Sequence, residues 1–445
     1  MYLLYSTLIV LLVLAASPYF LYQAARHRKY VSSFWQRLGF LPASFNPERE
    51  ACVWVHAVSV GEVMAARALL TELHRRHPDV RLVLSTTTVT GQSVARRHLP
   101  ELDVFYFPFD LPWMVNRTLE VVRPRLLVLL ETELWPNVLD ACRRRGVSTC
   151  VVNGRISQRS YPRYRLVRSL FRRVLDNVDR FCVQDEASAR RLIELGAAPD
   201  RVIVTGSLKF DAVRAPEPVA SAVVRDQVLR YFRVAPDRPV LVAASTRRGE
   251  ELPVLRTFVR IKETSASALL IIAPRHPERF REVTQLVEQM GFVVARRSDL
   301  AIDAEPRADV VILDSIGELA HVYRVATLVF VGGSLVDWGG HNILEPAVHG
   351  KAIVFGPHMQ NFEEIAATFL RHDAACQVRT AAELQDVLLR LLTDSVRRAS
   401  LGAAAQALVD ANRGALQKSI VEVERMLGLG ASSAGGRTGS LRRVH

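Results

Sequence analysis

The chain has 445 residues, 49% hydrophobic and 23% charged, with 58 Lys and Arg against 45 Asp and Glu for a formal net charge of +13. Such apolar content excludes a disordered or collagen-like chain and, over roughly 400 residues behind the N-terminus, points to two domains with ample cores. The five cysteines (52, 142, 150, 182, 376) are odd in number and lack C-x-x-C spacing, so they read as buried thiols in a reducing compartment.

In chain order, the first 25 residues contain no Asp, Glu, Lys, Arg or His, and Arg26, His27, Arg28 and Lys29 follow at once. A helix over Tyr2–Ala25 would be roughly 36 Å long, enough to span a bilayer core. The sequence therefore predicts a transmembrane anchor with a basic flank over residues 1–29. The positive-inside rule then places the rest on the cytoplasmic side, as a single-pass protein. Behind the anchor, apolar runs such as VWVHA (53–57), VRLVLSTTT (80–88), LLVLLE (126–131) and TCVVNG (149–154) alternate with amphipathic helical stretches. Repeated βα units of this kind build a parallel sheet covered on both faces. A first Rossmann-like domain is expected over 30–210. A proline-bearing linker follows at 211–239, with Pro216, Pro218, Pro236 and Pro239. The pattern restarts at VLVAAST (240–246), giving a second domain over 240–427, and a Gly/Ser-rich tail at 428–445 is expected to be disordered.

Several motifs stand where apolar runs end. His56–Glu62 (HAVSVGE) places Glu62 at a helix start, where the N-terminus favours its ionised form and a carboxylate can act as a general base toward a hydroxyl. Glu131–Asn137 (ETELWPN) carries two carboxylates, Glu131 and Glu133, that point to one side if the strand continues. Gly206–Asp211 (GSLKFD) offers a positive charge at Lys209. Arg275, after Pro274, suits phosphate or carboxylate through its bidentate fork. Asp314–Leu319 (DSIGEL) reads as a helix opening at Gly317, with Ile316 and Glu318 beside it and free N–H groups suited to phosphate. In GGSLVDWGGHNILEP, Asn342 and Glu345 share a helix face and bracket Ile343 and Leu344. The preceding glycines read as a loop bringing backbone close to a ligand. A stretch from Arg155 through Arg159, Arg163, Arg165, Arg168, Arg172 and Arg173, with Tyr161, Tyr164, Leu166, Leu170 and Phe171 interleaved, suits an anionic membrane surface or the phosphates of an acceptor. No dinucleotide or P-loop signature, metal-ligand spacing or nucleic-acid motif is present, so no cofactor, no metal and no nucleic-acid partner are expected.

HAVSVGE, ETELWPN, GSLKFD, PRHPERF and GGHNILEPA, in this order and spacing, resemble the 3-deoxy-D-manno-octulosonic acid (Kdo) transferases of lipopolysaccharide synthesis from the anchor to about residue 425. The resemblance implies a GT-B fold, two doubly wound domains facing across a cleft, plus an N-terminal transmembrane helix. It also implies CMP-Kdo as donor, a lipid A precursor (lipid IVA) as acceptor, and no metal. Carried over by motif, Glu62 would be the general base and Glu131 and Lys209 would stabilise the transition state. CMP would be held by Pro274–Arg275, by Ile316, Gly317 and Glu318, and by Asn342, Ile343, Leu344 and Glu345. In DSIGEL this chain departs from the Thr and Met-like residue the family pattern carries. Two other readings stay open at this point: a membrane-associated transferase using a UDP-sugar, and a non-enzymatic anchored scaffold with a basic face.

Overall fold

A computed structural model describes residues 5–7, 9–11, 31–157, 160–212 and 228–429. The chain divides into two compact units, residues 1–212 with 413–445, and residues 213–412.

In the first unit the apolar runs become Cys52–His56 (β1), Arg81–Thr86 (β2), Asp103–Tyr106 (β3), Pro124–Leu130 (β4), Ser148–Gly154 (β5), Arg180–Val183 (β6) and Val202–Val204 (β7). They form one sheet in the order β3-β2-β1-β4-β5-β6-β7, with every pairing parallel. Successive side chains of a strand face opposite ways. Trp54 and Leu127 thus join Phe105 and Phe107 in one core. Val53, Val55, Leu126 and Val128 join Leu69 and Leu70 of the helix Val60–Arg76 in the other. Both faces are buried, which is why the strands read as continuous apolar runs. The helix Ala415–Met426 also belongs to this unit. Its Ala415, Ile420 and Val423 enter the second core, and Asp211 accepts from the N–H groups of Gly414 (2.9 Å) and Leu416 (2.6 Å). The division thus differs from the expected 240–427 domain, because tertiary packing carries the last helix back to the first sheet.

The second unit repeats the architecture with Val240–Thr246 (β8), Leu269–Pro274 (β9), Val294–Arg296 (β10), Val310–Ile312 (β11), Leu328–Val331 (β12), Ala352–Phe355 (β13) and Cys376–Gln377 (β14). Their order is β10-β11-β9-β8-β12-β13-β14, again all parallel. The short strands β10 and β14 sit at the edges and carry too few apolar residues to show as runs. In each sheet the first strand has neighbours leading in opposite chain directions: β1 lies between β2 and β4, and β8 lies between β9 and β12. Ligands of open α/β sheets bind at the carboxyl ends of strands flanking such a switch point.

The expected transmembrane helix is not upheld. Among the described residues no helix is long and apolar enough to cross a membrane. Of residues 1–29 only 5–7 and 9–11 are described, and the rest of the expected span lies outside the described residues. Within the described part, Ser6 accepts a hydrogen bond from Asn137 Nδ2 at 3.1 Å, and Tyr5 hydrogen-bonds Asp110. Both partners are buried polar groups of the first unit, so these residues are engaged with protein. Residues 213–227 of the expected linker and 430–445 of the expected tail likewise fall outside the described residues.

Candidate active site

The first unit gathers a group of carboxylates at its switch point. Ser59 caps the helix Val60–Arg76, and Glu62 occupies the third helical position, so S-V-G-E forms a capping-box pattern. Glu62 Oε2 accepts from the Val58 N–H at 2.8 Å and Oε1 from the Ser59 hydroxyl at 2.9 Å. Each oxygen keeps a second lone pair for another partner. The residue is 8% exposed. Burial pushes its pKa up, the Val58 N–H pulls it down, and neighbouring Glu131 raises it further. His56, at the head of the same motif, is fully buried, stacks on Phe107 and directs Nδ1 to Ser85 Oγ at 2.9 Å. Burial lowers its pKa to about 3, so it serves as a neutral core group.

Glu131 follows β4 directly. The strand does not continue through it: its φ of 57° is left-handed, and its N–H donates to Val152 O at 2.9 Å. A non-glycine residue held in this region costs of order 1–3 kcal/mol and persists where the surroundings over-determine it. Asn153, at φ 60° near the end of β5, shares the condition and accepts from the Leu208 N–H at 3.0 Å through Oδ1. That bond fixes the start of the helix Leu208–Ala212, which carries Lys209, and Lys209 Nζ lies 3.9 Å from Glu131 Oε1. Glu133 completes the group. Burial, then the charges of Glu62 and Glu131, raise its pKa to about 7. The structure therefore brings Glu62, Glu131 and Lys209 into one electrostatic neighbourhood, with Glu133 as a fourth member.

In the second unit, Arg275 follows Pro274 at the end of β9 and is exposed. Asn342 Oδ1 accepts from the Leu344 N–H at 3.1 Å, turning the chain into the helix Leu344–Val348. Its Nδ2 donates to Glu345 Oε1 at 3.3 Å. Burial raises the Glu345 pKa, while Asn342 and the charge of Arg275 lower it. Ile343 and Leu344 are core side chains, which leaves only their backbone for a ligand. These residues stand by the switch point between β8 and β12.

Two expectations change here. In the loop after β12 the N–H groups of Gly333, Ser334 and Leu335 are not free for a ligand. The buried carboxylate of Glu250 accepts from Gly333 (2.7 Å), Ser334 (3.0 Å) and Leu335 (2.9 Å), and also from Arg247 N (2.9 Å). The glycines there serve close packing: a Cβ on Gly332 would fall 2.7 Å from Thr246 Cα, and one on Gly356 would overlap the carbonyl of Ser334. The second difference concerns Gly317. The helix begins at Leu319 and spans only Leu319–Val322, with Glu318 in the cap position. Glu318 is held by Arg297 at 2.7 Å and by the Ser315 hydroxyl at 2.6 Å. What this loop presents outward is Ile316, 85% exposed.

Sequence reasoning passed over Glu250 and Arg247. A signal was present: a Gly–Glu pair follows the first strand of each unit, Gly61–Glu62 after β1 and Gly249–Glu250 after β8. Among the described residues no cluster of three His, Cys, Asp or Glu side chains is arranged to hold a metal ion. A depression lined by Thr327, Lys351 and Arg398 lies at the amino ends of β12 and β13, the edge of the sheet away from these motifs. Its cations are committed to carbonyls, Lys351 to Arg324 O and Arg398 to Leu391 O and Leu392 O.

A family model described as 3-deoxy-D-manno-octulosonic-acid transferase (kdotransferase) matches residues 32–212. The chain is 32% identical over 392 residues to the 3-deoxy-D-manno-octulosonic acid transferase of Haemophilus influenzae, covering 88% of this chain and 90% of that one. It is 34% identical over 387 residues to the transferase of the same name from Bordetella pertussis, covering 85% and 88%. A crystal structure of Acinetobacter baumannii MurG is similar at a TM-score of 0.53 and 13% identity, over 84% of this chain and 100% of that one. That last likeness concerns the fold alone, two parallel α/β sheets of the GT-B kind. Full-length similarity at this level, joined to the motif residues gathered at both switch points, settles the family: the chain belongs to the 3-deoxy-D-manno-octulosonic acid transferases, glycosyltransferases that transfer Kdo in lipopolysaccharide biosynthesis.

Proposed function

We propose that the donor is CMP-Kdo, that the acceptor is a lipid A precursor, and that transfer proceeds by a single inverting displacement. The observation that carries this reading is the carboxylate group of the first unit, where Glu62 is clamped by Val58 N–H and Ser59 Oγ with Glu131 and Lys209 alongside. Glu62 removes the proton of the acceptor hydroxyl as the bond to the anomeric carbon forms. Burial and the charge of Glu131 raise its pKa, which makes it a stronger base than an ordinary glutamate. Lys209, with Glu131 fixing its position, supplies positive charge where negative charge develops. CMP leaves with the bonding electron pair, and Arg275, Pro274, the 316–318 loop and the Asn342–Glu345 turn hold it. A nucleoside monophosphate leaving group carries less charge than a diphosphate, so an arginine and backbone dipoles suffice, and no cofactor or metal is invoked.

The same reading places the enzyme at the cytoplasmic face of the inner membrane, where the acceptor lipid resides. The helices Tyr161–Leu166 and Arg168–Leu175 support a peripheral contact. Leu166 is 87% exposed among Arg163, Arg165, Arg168 and Arg172, a mixture suited to anionic headgroups. The test is transfer from CMP-Kdo to the lipid A precursor, read by product mass. Glu62→Gln preserves the shape of the cap and should lower turnover by about 10²–10⁴-fold, with CMP binding and melting temperature retained. A near-normal rate in this variant removes Glu62 from the base role.

A further inference from the structure

Arg247 follows β8 at the switch point of the second sheet, beside Arg275 at the end of β9 and the loop after β12. Its Nη1 contacts His276 Nε2, its guanidinium lies 4.6 Å over the ring of Trp338, and its Nε is buried without a partner among the described residues. The natural counter-charge, Glu250 three residues on, is spent on four backbone N–H groups. Arg275 makes no ion pair among the described residues, and Glu345, within its electrostatic reach, accepts a hydrogen bond from Asn342 instead. Two further buried polar atoms here lack partners among the described residues: Thr246 Oγ1, on a residue with 0% exposure, and His341 Nε2. Two guanidinium groups thus stand within electrostatic reach of one another, with no carboxylate salt-bridged to either among the described residues. Their mutual repulsion is relieved by bound anions.

We infer that Arg247 binds the carboxylate of the donor sugar while Arg275 holds the phosphate, so that Arg247 selects an acidic sugar nucleotide. This rests on the donor reading above. The charges match: the phosphodiester of a CMP-linked sugar carries one negative charge and the sugar acid a second. The guanidinium fork suits a carboxylate in two-point contact. Trp338 and His276 hold the fork in place before the donor arrives, which reduces the ordering cost on binding. Neutral sugar nucleotides offer nothing for Arg247 and leave its charge uncompensated, which discriminates against them.

The experiment compares CMP-Kdo with CMP, which lacks the carboxylate, using the full chain. In Arg247→Gln the KM for CMP-Kdo should rise about 10- to 100-fold, while inhibition by CMP stays within about twofold of the parent protein. Arg275→Gln should weaken both. Arg247→Lys keeps the charge without the fork and should recover part of the loss. Trp338, 58% exposed, can be replaced with little risk to folding. Trp338→Ala should raise the donor KM in the same sense, so the inference stays testable if Arg247→Gln folds poorly. An unchanged donor KM in Arg247→Gln, or equal weakening of CMP and CMP-Kdo, overturns the assignment. If CMP fails to inhibit the parent protein, the donor reading itself falls, an outcome distinct from either of these.

Discussion

Glu250→Gln tests whether the loop after β12 is held from within the protein. Oε2 of Glu250 accepts from Gly333 and Arg247, and Oε1 from Ser334 and Leu335. Gln replaces one oxygen by an amide NH2, which cannot accept. Whichever way the amide turns, one fully buried N–H (Gly333 or Ser334) and one partly buried N–H (Arg247 or Leu335) face a donor. An unsatisfied buried group costs about 1–3 kcal/mol, and the partly buried one costs less where water reaches it. Removing the buried charge returns part of this, since burial raises the Glu250 pKa against the pull of the four amides. The net expectation is a loss of about 1–3 kcal/mol. Unfolding of a chain with two units need not be two-state, so the primary readout is amide hydrogen exchange over residues 332–336, supported by thermal melts. Exchange at Gly333, Ser334 and Leu335 should accelerate, and CMP binding should weaken because Asn342 and Glu345 follow the same loop. Unchanged protection of these amides, with stability altered by less than about 0.5 kcal/mol, would refute the reasoning.

Three further outcomes follow from the same physics. Glu133 titrates near 7 in the folded protein against an ordinary value of 4.5. The native state thus binds its proton more tightly than the unfolded chain, and stability drains away as pH rises from about 4.5 through 7. Glu133→Gln should therefore be more stable than the parent at pH 8 by on the order of 1 kcal/mol, with the gap closing below pH 4.5; melts across this range check the sign. Glu131→Gly relieves the left-handed backbone and should hold or gain up to about 1 kcal/mol of stability, while transfer drops at least tenfold; concurrent melting and turnover assays separate the two effects. In Gly356→Ala the new Cβ would run into backbone atoms of Ser334 and Leu335. Backbone cannot yield as a side chain does, so a loss of about 3 kcal/mol or more is expected; a melting temperature near that of the parent would show that the loop relaxes.

Much was legible in the sequence because it is local. Apolar runs such as VLVAAST (β8) and LVFV (β12) named their own strands, for a strand buried on both faces needs no partner to declare itself. Motif residues at the ends of those runs were placed at strand ends for the same reason, and Glu62 at a helix start followed from the end of the run before it. The N-terminal anchor shows the limit of this reasoning. An uncharged stretch satisfies the length criterion for a membrane span, yet the described residues there hydrogen-bond Asp110 and Asn137, and no described helix suits a bilayer.

Other features depended on who meets whom. Glu250 reaches Gly333 across 83 residues because β8 and β12 are neighbours in the sheet. Glu318 turns to Arg297, and the helix Ala415–Met426 closes the first core through Asp211. Pairings of this kind are set by strand order and by competition for a limited supply of buried donors and acceptors, neither of which a local pattern records. By itself the sequence determined the strands that are buried on both faces, though not the short edge strands β10 and β14, together with the doubly wound class and the family. Only the tertiary structure decided which polar groups are consumed in holding loops, as Glu250 is, and which, like Arg275, make no ion pair among the described residues. A buried carboxylate can satisfy backbone or substrate with the same lone pairs, and the fold alone allots them.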